Sequence, residues 1–280
     1  MRQQTFVNGK PTLYVVATPI GNMSEFTPRA IEILKSVAII ACEDTRTSKV
    51  LLNHFGIETP VASYHKFNER ESVENFISFM NDGKDIALIS DAGYPLVSDP
   101  GSVLVEEVLK MGYNVSTISG ASAFLNALVA SGFSLSRFTF VGFLDSKRSA
   151  RKKQLQEIKD YRETLIFYES PHRIVETLTD ILEVLGNRRI VLARELTKKF
   201  EEFIRGSVEE VLSDTSNLKG EMVLILEGNT SEKETIDEEK LLIEIKELSK
   251  QNIKNKEIVS ILCEKYNLKK NYIYDLVCKK

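Results

Sequence analysis

The chain has 280 residues, 42% of them apolar and 28% charged, with a formal net charge of −3. This leaves room for two domains with cores of their own, in a composition typical of folded soluble proteins and unlike disordered or fibrous ones. No apolar run approaches the roughly 20 residues needed to span a bilayer, and residues 1–10 lack the apolar centre of a secretory signal, so a cytoplasmic location without a membrane partner is expected.

The first strand is expected at Leu13 to Ala17, an apolar run closed by the turn Thr18-Pro19-Ile20-Gly21-Asn22. Thr27-Pro28 then reads as an N-cap and first-turn proline for a helix beginning at Ala30. A strand at Val37 to Ala41 runs into Cys42-Glu43-Asp44-Thr45-Arg46-Thr47, where three ionisable side chains and two hydroxyls sit between strand and helix. Val61 to Tyr64 is a short strand followed by His65, and residues 70–81 form an acidic amphipathic helix stopped by Asp82-Gly83. Ile86 to Ile89 leads into the stiff loop Ser90-Asp91-Ala92-Gly93-Tyr94-Pro95-Leu96-Val97-Ser98-Asp99-Pro100-Gly101, and a helix follows from Val103. The strand Val115 to Ile118 ends in Ser119-Gly120-Ala121-Ser122-Ala123, small residues at a helix start whose amides can face an anion.

Strands alternating with helices over residues 11–132 imply a mostly parallel sheet, whose ligands belong outside the carboxyl ends of its strands. Neither a Gly-x-Gly-x-x-Gly after the first strand nor a Walker A loop is present, which argues against dinucleotide and P-loop chemistry. Three scattered cysteines (Cys42, Cys263, Cys278) and three scattered histidines (His54, His65, His172) offer no disulfide framework and no metal spacing, so no metal is expected.

The second half has expected strands at 138–143, 163–168, 189–193, 202–206 and 221–226, a mixed α+β layer. Lys147 to Lys153 puts five cations in seven residues at the start of a helix reaching Ile158, and is either a solvated helix face or a phosphate contact. Glu169-Ser170-Pro171-His172-Arg173 caps a helix from Ile174 to Leu185. The polar stretch around 229–239 reads as a linker, and 240–280 as two short helices around a turn at Tyr266-Asn267-Leu268, similar to a helix-turn-helix with basic pairs at Lys269-Lys270 and Lys279-Lys280.

Six motifs carry a resemblance: Thr18 to Asn22, Glu43 to Arg46, Ser90 to Gly93, Ser98 to Gly101, Tyr168 to Arg173 and Ala193 to Lys198. In this order and spacing, over about residues 11–228, the chain resembles the small-subunit ribosomal RNA methyltransferases of the tetrapyrrole methylase superfamily. The resemblance implies an α/β, two-domain tetrapyrrole-methylase-like fold, and the tail is similar to a helix-turn-helix appendage of many members. With the pattern of elements this gives a mostly parallel N-terminal domain (1–132), a mixed-sheet second domain (133–228), a linker (229–239) and a C-terminal helical module (240–280). It also implies transfer of a methyl group from S-adenosylmethionine to the ribose 2′-hydroxyl of a cytidine at the decoding region of 16S rRNA, free or in the assembled small subunit, by a homodimer. Members often carry a second histidine shortly after the position of His65; here that place holds Phe67.

On this basis the expected donor-binding residues are Pro19, Ser90, Asp91, Ala92, Gly93, Pro95, Ser122, Ala123, Tyr168, Glu169, Arg194, Glu195 and Leu196. His65, Glu43 and Asp91 are the candidate bases for the acceptor hydroxyl, unranked. Arg46 and Arg173 could hold a phosphate by paired hydrogen bonds, and Lys147, Arg148, Arg151 and Lys152 would track the RNA backbone. Two rival functions remain: a tetrapyrrole-precursor methylase, against which the first loop reads Thr-Pro-Ile-Gly-Asn rather than Gly-x-Gly-x-Gly-Asp, and a DNA-binding regulator acting through 240–280.

Overall fold

The computed structural model describes residues 2–215, 218–231, 238–251, 253–266, 268 and 270–278. Part of the expected linker, the turn residue at 267 and the lysines at 269, 279 and 280 lie outside them. Residues Met1–Asn229 form one compact unit and Thr230–Lys280 another. Among the described residues, no helix is long and apolar enough to cross a membrane.

In the larger unit, strands β1 (Thr12–Val16), β2 (Ile40–Cys42), β3 (Val61–Ser63), β4 (Ile86–Ile89) and β5 (Asn114–Ile118) pair in the order β3-β2-β4-β1-β5, every pair parallel. Helices α1 (Pro28–Ser36) and α2 (Thr45–His54) connect strands leftward in that order. Helices α3 (Glu69–Asn81) and α4 (Ser102–Lys110) connect them rightward. Right-handed crossovers therefore put the two helix pairs on opposite faces. The cores show this: Tyr14, Val16, Ala87 and Ile89 pack with α1 and α2, while Leu13, Val15, Ile86 and Leu88 pack with α3 and α4. Adjacent β1 and β4 send their chains in opposite directions, which makes their carboxyl ends the switch point where such sheets bind ligands.

The strand expected at Val37 starts only at Ile40. Val37 is instead the C-cap of α1, its amide bonded to Ile33 O, and the Ala38 amide donates to Asp85 O at 2.9 Å.

The second sheet runs β6-β7-β10-β8-β9, from β6 (Phe138–Phe143), β7 (Thr164–Glu169), β8 (Arg189–Arg194), β9 (Glu202–Ser207) and β10 (Met222–Leu226). Only β6 and β7 are parallel. One face is covered by α6 (Arg148–Glu157), α7 (Ile174–Leu185) and α8 (Val208–Ser213). The other is covered by α5 (Ala123–Ser131), whose buried Ala127 and Leu128 pack on Ile166, Val191, Ala193, Val223 and Ile225 together with Ile20 of the first loop. The first half of the chain thus contributes a helix and a loop tip to the core of the second sheet, at the edge where the site lies.

Among its described residues the smaller unit has three helices where two are expected: α9 (Glu238–Lys250), α10 (Asn255–Tyr266) and α11 (Lys270–Cys278). Helix α9 begins inside the stretch expected to be linker, because Leu241 and Ile245 supply one side of a core completed by Ile258, Leu262, Ile273 and Leu276. A third helix lets so short a segment enclose apolar side chains, which two would leave half exposed.

Candidate active site

Five loops leave the carboxyl ends of the parallel strands on one rim. The loops after β1 and β4 are stitched by reciprocal bonds, Thr18 N–H to Gly93 O at 2.9 Å and Gly93 N–H to Thr18 O at 3.1 Å. The Thr18 hydroxyl donates to Ser90 O and the Ser90 hydroxyl to Gly93 O, each at 3.1 Å. The loop after β5 joins them through Gly120 N–H, which donates to the Tyr94 hydroxyl at 3.3 Å.

Two cavities open here. The larger, of 570 Å³, lies between the Asp91–Asp99 loop, the start of α5, the Tyr168–Pro171 turn, the Glu195–Lys198 loop and the first residues of β10. The smaller, of 440 Å³, lies between Pro19–Gly21, Met23, one side of α2 and Ser90–Ala92. They share a wall of Ile20, Asp91, Ala92, Lys198 and Glu221. Both volumes are within the range of small-molecule sites.

Five carboxylates line the larger cavity, Asp91, Asp99, Glu169, Glu195 and Glu221, against the single cation Lys198 among the described residues. Burial and neighbouring charge act on two of them, Asp99 and Asp91, and on Glu43 beside them. Asp99 is pushed up to about 6, first by burial and then by Glu43, with Asp91 and Glu221 adding. Burial also raises Glu43, with Asp91 adding and His65 opposing. Burial raises Asp91, an effect the facing Asp44 amide partly offsets. At the start of α5 the Ser122 side chain makes no cap, and the Tyr168 hydroxyl, its pKa raised by burial, faces the Phe124 amide.

The backbone is strained around this cavity. Among the described residues, the non-glycine residues with left-handed φ are Leu96 (71°), Ser98 (70°), Glu195 (52°) and Thr197 (68°), two in each of two loops bordering it. Such conformations cost on the order of 1–3 kcal/mol each and persist where the surroundings impose them. Here Thr197 N–H donates to the Glu201 carboxylate at 2.7 Å, Lys198 N–H to Glu195 O at 3.1 Å, and Glu195 N–H to Glu221 O at 3.3 Å. On β6, a register shift between Phe140 and Gly142 brings Gly142 to the Ser98 hydroxyl, and Phe143 reaches the cavity, 5.5 Å from the Tyr168 ring. Bulges of this kind commonly re-aim a side chain beside a site.

The larger cavity gathers most of the expected donor-binding residues: Asp91, Ala92, Gly93, Ser122, Ala123, Tyr168, Glu169, Glu195 and Leu196. Pro19 and Ser90 line the smaller one. Pro95 and Arg194 line neither; Arg194 turns to Glu202 and to Lys219 O. The Glu169 carboxylate is held within the fold by Ser170 N–H at 2.8 Å and the Thr177 hydroxyl at 2.5 Å, so it shapes the turn that bears Tyr168. The three candidate bases are neighbours, since Glu43 feels both Asp91 and His65, but only Asp91 is on a cavity wall.

The expected phosphate contacts fare differently. Arg151 is 1% exposed and bound to equally buried Asp180 at 2.8 Å, so it is not available to RNA. Asp180 and Glu183 also take Arg148, and Glu183 takes Lys152. Arg173 donates to Leu144 O and Asp145 O, a brace under α7. Arg46 is exposed at the rim and pairs with Asp44, whose carboxyl it holds down at about 2. Lys147 is exposed. Sequence reasoning assigned no role to Tyr94, Asp99, Lys198 or Glu221. The motif run Ala193–Lys198 was the signal for Lys198; for Glu221, the start of a buried strand, there was none.

The model of the Tetrapyrrole (Corrin/Porphyrin) Methylases family matches residues 12–212. Ribosomal RNA small subunit methyltransferase I of Bacillus subtilis is 47% identical over 244 residues, covering 85% of this chain and 83% of its own length. The protein of that name from Vibrio cholerae is 43% identical over 278 residues, covering 97% and 96%. Among solved structures, uroporphyrin-III-C-methyltransferase from Thermus thermophilus superposes with a TM-score of 0.56 at 17% identity, over 78% of this chain and 94% of its own, a likeness of fold. With matches of this extent, the chain belongs to the tetrapyrrole (corrin/porphyrin) methylase family, and within it to the ribosomal RNA small subunit methyltransferase I proteins.

Proposed function

We propose that the protein methylates the ribose 2′-hydroxyl of a cytidine in the decoding region of small-subunit ribosomal RNA, with S-adenosylmethionine as the donor. The observation that carries this is the wall of the larger cavity, five carboxylates and one ammonium beside the uncapped start of α5. Carboxylates suit a ligand that bears positive charge on sulfur and nitrogen, and helix amides suit its one carboxylate. The relatives' shared name favours an RNA acceptor over a tetrapyrrole.

When bound, S-adenosylmethionine supplies an electrophilic methyl group on a positively charged sulfur. Ser122 and Ala123 hold its carboxylate end, and Asp91, Asp99 and Glu221 compensate its positive charge. Ile20, Leu196 and Val223 give the enclosure an apolar side that excludes water. Because the transfer removes charge rather than creating it, positioning supplies most of the acceleration, at best about 7–11 kcal/mol. Asp91, on the wall common to both cavities, accepts the hydroxyl proton, with Glu43 and His65 behind it. In this scheme residues 1–132 bring the bases and residues 133–228 close the donor cavity. The smaller unit has no assigned step.

The assignment includes a homodimer, for which exposed Leu125 and Val129, one turn apart on α5, offer apolar surface. The test is incubation of purified small ribosomal subunits with methyl-labelled donor, followed by mapping of the label. Label on a cytidine ribose is expected; label on a base, or none, overturns the assignment.

A further inference from the structure

Lys198 reaches across the site. Its side chain lies flat on Gly21 of the first loop, in space that a Cβ there would take from Lys198 Cγ and Cε. With φ at +134°, this position favours glycine, and the glycine leaves room for the stem as it lies. Its ammonium rests on the Glu195 carboxylate at 2.9 Å, with the side chains 32% and 21% exposed. The Glu195 carboxylate in turn lies over Gly220, in space that a Cβ there would fill. The loop that presents the pair is the strained one, with left-handed φ at Glu195 and Thr197.

Charge gives this placement a purpose. Among the described residues, Lys198 is the one cation lining either cavity, and it belongs to the wall they share, with Asp91 and Glu221. A polyanion entering an acidic cleft is repelled unless a cation meets it there. Lysine serves as a point-charge partner for phosphate.

We infer that the smaller cavity seats the acceptor nucleotide and that Lys198 receives its phosphate, turning from Glu195 when RNA enters. The inference rests on the proposed function and adds a binding site and a binding residue to it. With the donor in the larger cavity and the nucleotide in the smaller, the acceptor hydroxyl approaches the donor past Asp91. Glu195 serves as a place-holder that keeps the lysine stem laid over Gly21 while RNA is absent.

The test uses the full chain and purified small ribosomal subunits as the probe. Lys198→Met keeps the stem and removes the charge. Loss of one charge-assisted contact should weaken subunit binding about tenfold or more, and make the dependence of log affinity on log salt shallower by about one. S-adenosylmethionine affinity, measured by calorimetry, should not fall, because removing a cation from a wall that also borders the cationic donor lessens repulsion. Lys198→Arg should restore most of the subunit affinity, and Glu195→Gln should tighten it by freeing the lysine. If Lys198→Met leaves subunit affinity and its salt dependence unchanged, or weakens donor binding as much as subunit binding, the inference fails. A wild-type protein that methylates small subunits while those results are negative isolates the failure to Lys198. A wild type that transfers no label fails at the proposed function itself.

Discussion

Residues 147–153 and residues 194–198 present opposite cases of what a cation in a sequence is for. The first has five cations in seven residues and stands out as a phosphate track. Folded, its central arginine is buried against Asp180, and Arg148 and Lys152 are taken by Asp180 and Glu183. Burial alone would raise the Asp180 carboxyl, but Arg148 and Arg151 together outweigh it and leave it lowered. The second region has Arg194 and Lys198 among apolar and acidic neighbours. Arg194 is spent on Glu202, yet Lys198 is set on the wall of both cavities. A dense run invites counter-charges from a facing helix, here α7, whereas the single cation of the cleft is held by Glu195 of its own loop, which the inference above has it leave for a phosphate.

The largest effect should come from the first region and should be one of stability. Removing one partner of a buried ion pair leaves the other uncompensated, so Arg151→Met should cost about 3–5 kcal/mol, lowering the thermal midpoint by about 2–4 °C per kcal/mol. Adding Asp180→Leu should recover part of that loss. Folded Arg151→Met protein should keep the wild-type salt dependence of subunit binding; a shallower slope would mean that the run touches RNA after all. At the site the effect moves to rate. Asp91→Asn should slow methyl transfer by on the order of 10²-fold, the low end of what a positioned base contributes, with the melting temperature little changed.

A pH series sharpens the contrast between carboxylates in the two places. Asp99, pushed up to about 6 from 3.8, binds its proton more tightly folded than unfolded. Its contribution to stability is therefore fully present below pH 4 and is lost as the pH rises through about 6. Glu43 and Asp91, each raised first by burial, act in the same sense. Affinity for a cationic donor should run the other way and increase from pH 5 to 7, as Asp99 ionises. Asp99→Asn should flatten both curves, checked by thermal melts and by calorimetry across that range. Donor affinity that does not rise with pH would separate the carboxylate wall from donor binding.

The difference between the two regions also shows what could be read from sequence. Parallel strands announce themselves as apolar runs such as Ile86–Ile89, and chain direction then dictates that their loops share a rim, so Asp91, Gly93, Ser122 and Ala123 could be placed together. Partnership between α6 and α7 could not, because Asp180 reads as an ordinary polar position on an amphipathic helix until its face is known to be buried. The strained loops were equally hidden. Glycine advertises a left-handed backbone, but Leu96, Ser98, Glu195 and Thr197 do not, and the amides of Glu195 and Thr197 are tied to Glu221 and Glu201 in bonds no local sequence shows. Lys198 owes its position to two of those residues, and Gly21, which makes room for it, lies more than 170 positions earlier in the chain.

The smallest effect concerns the cations that α6 leaves over. Lys147 and Lys153 are exposed, carry no ion pair among the described residues and line neither cavity. If the run retains any role with RNA, it resides in them, as loose contacts with a flexible polyanion outside the site. Each such contact adds less than about one to the salt slope and little to affinity at moderate salt. The Lys147→Gln, Lys153→Gln double variant should then weaken subunit binding by less than about threefold at moderate salt, and leave turnover at saturating subunits unchanged. A loss as large as that of Lys198→Met would reverse the ranking of the two regions, because the phosphate would then be held by sequence-evident charge at the surface and not by the single lysine that the fold carries into the cleft.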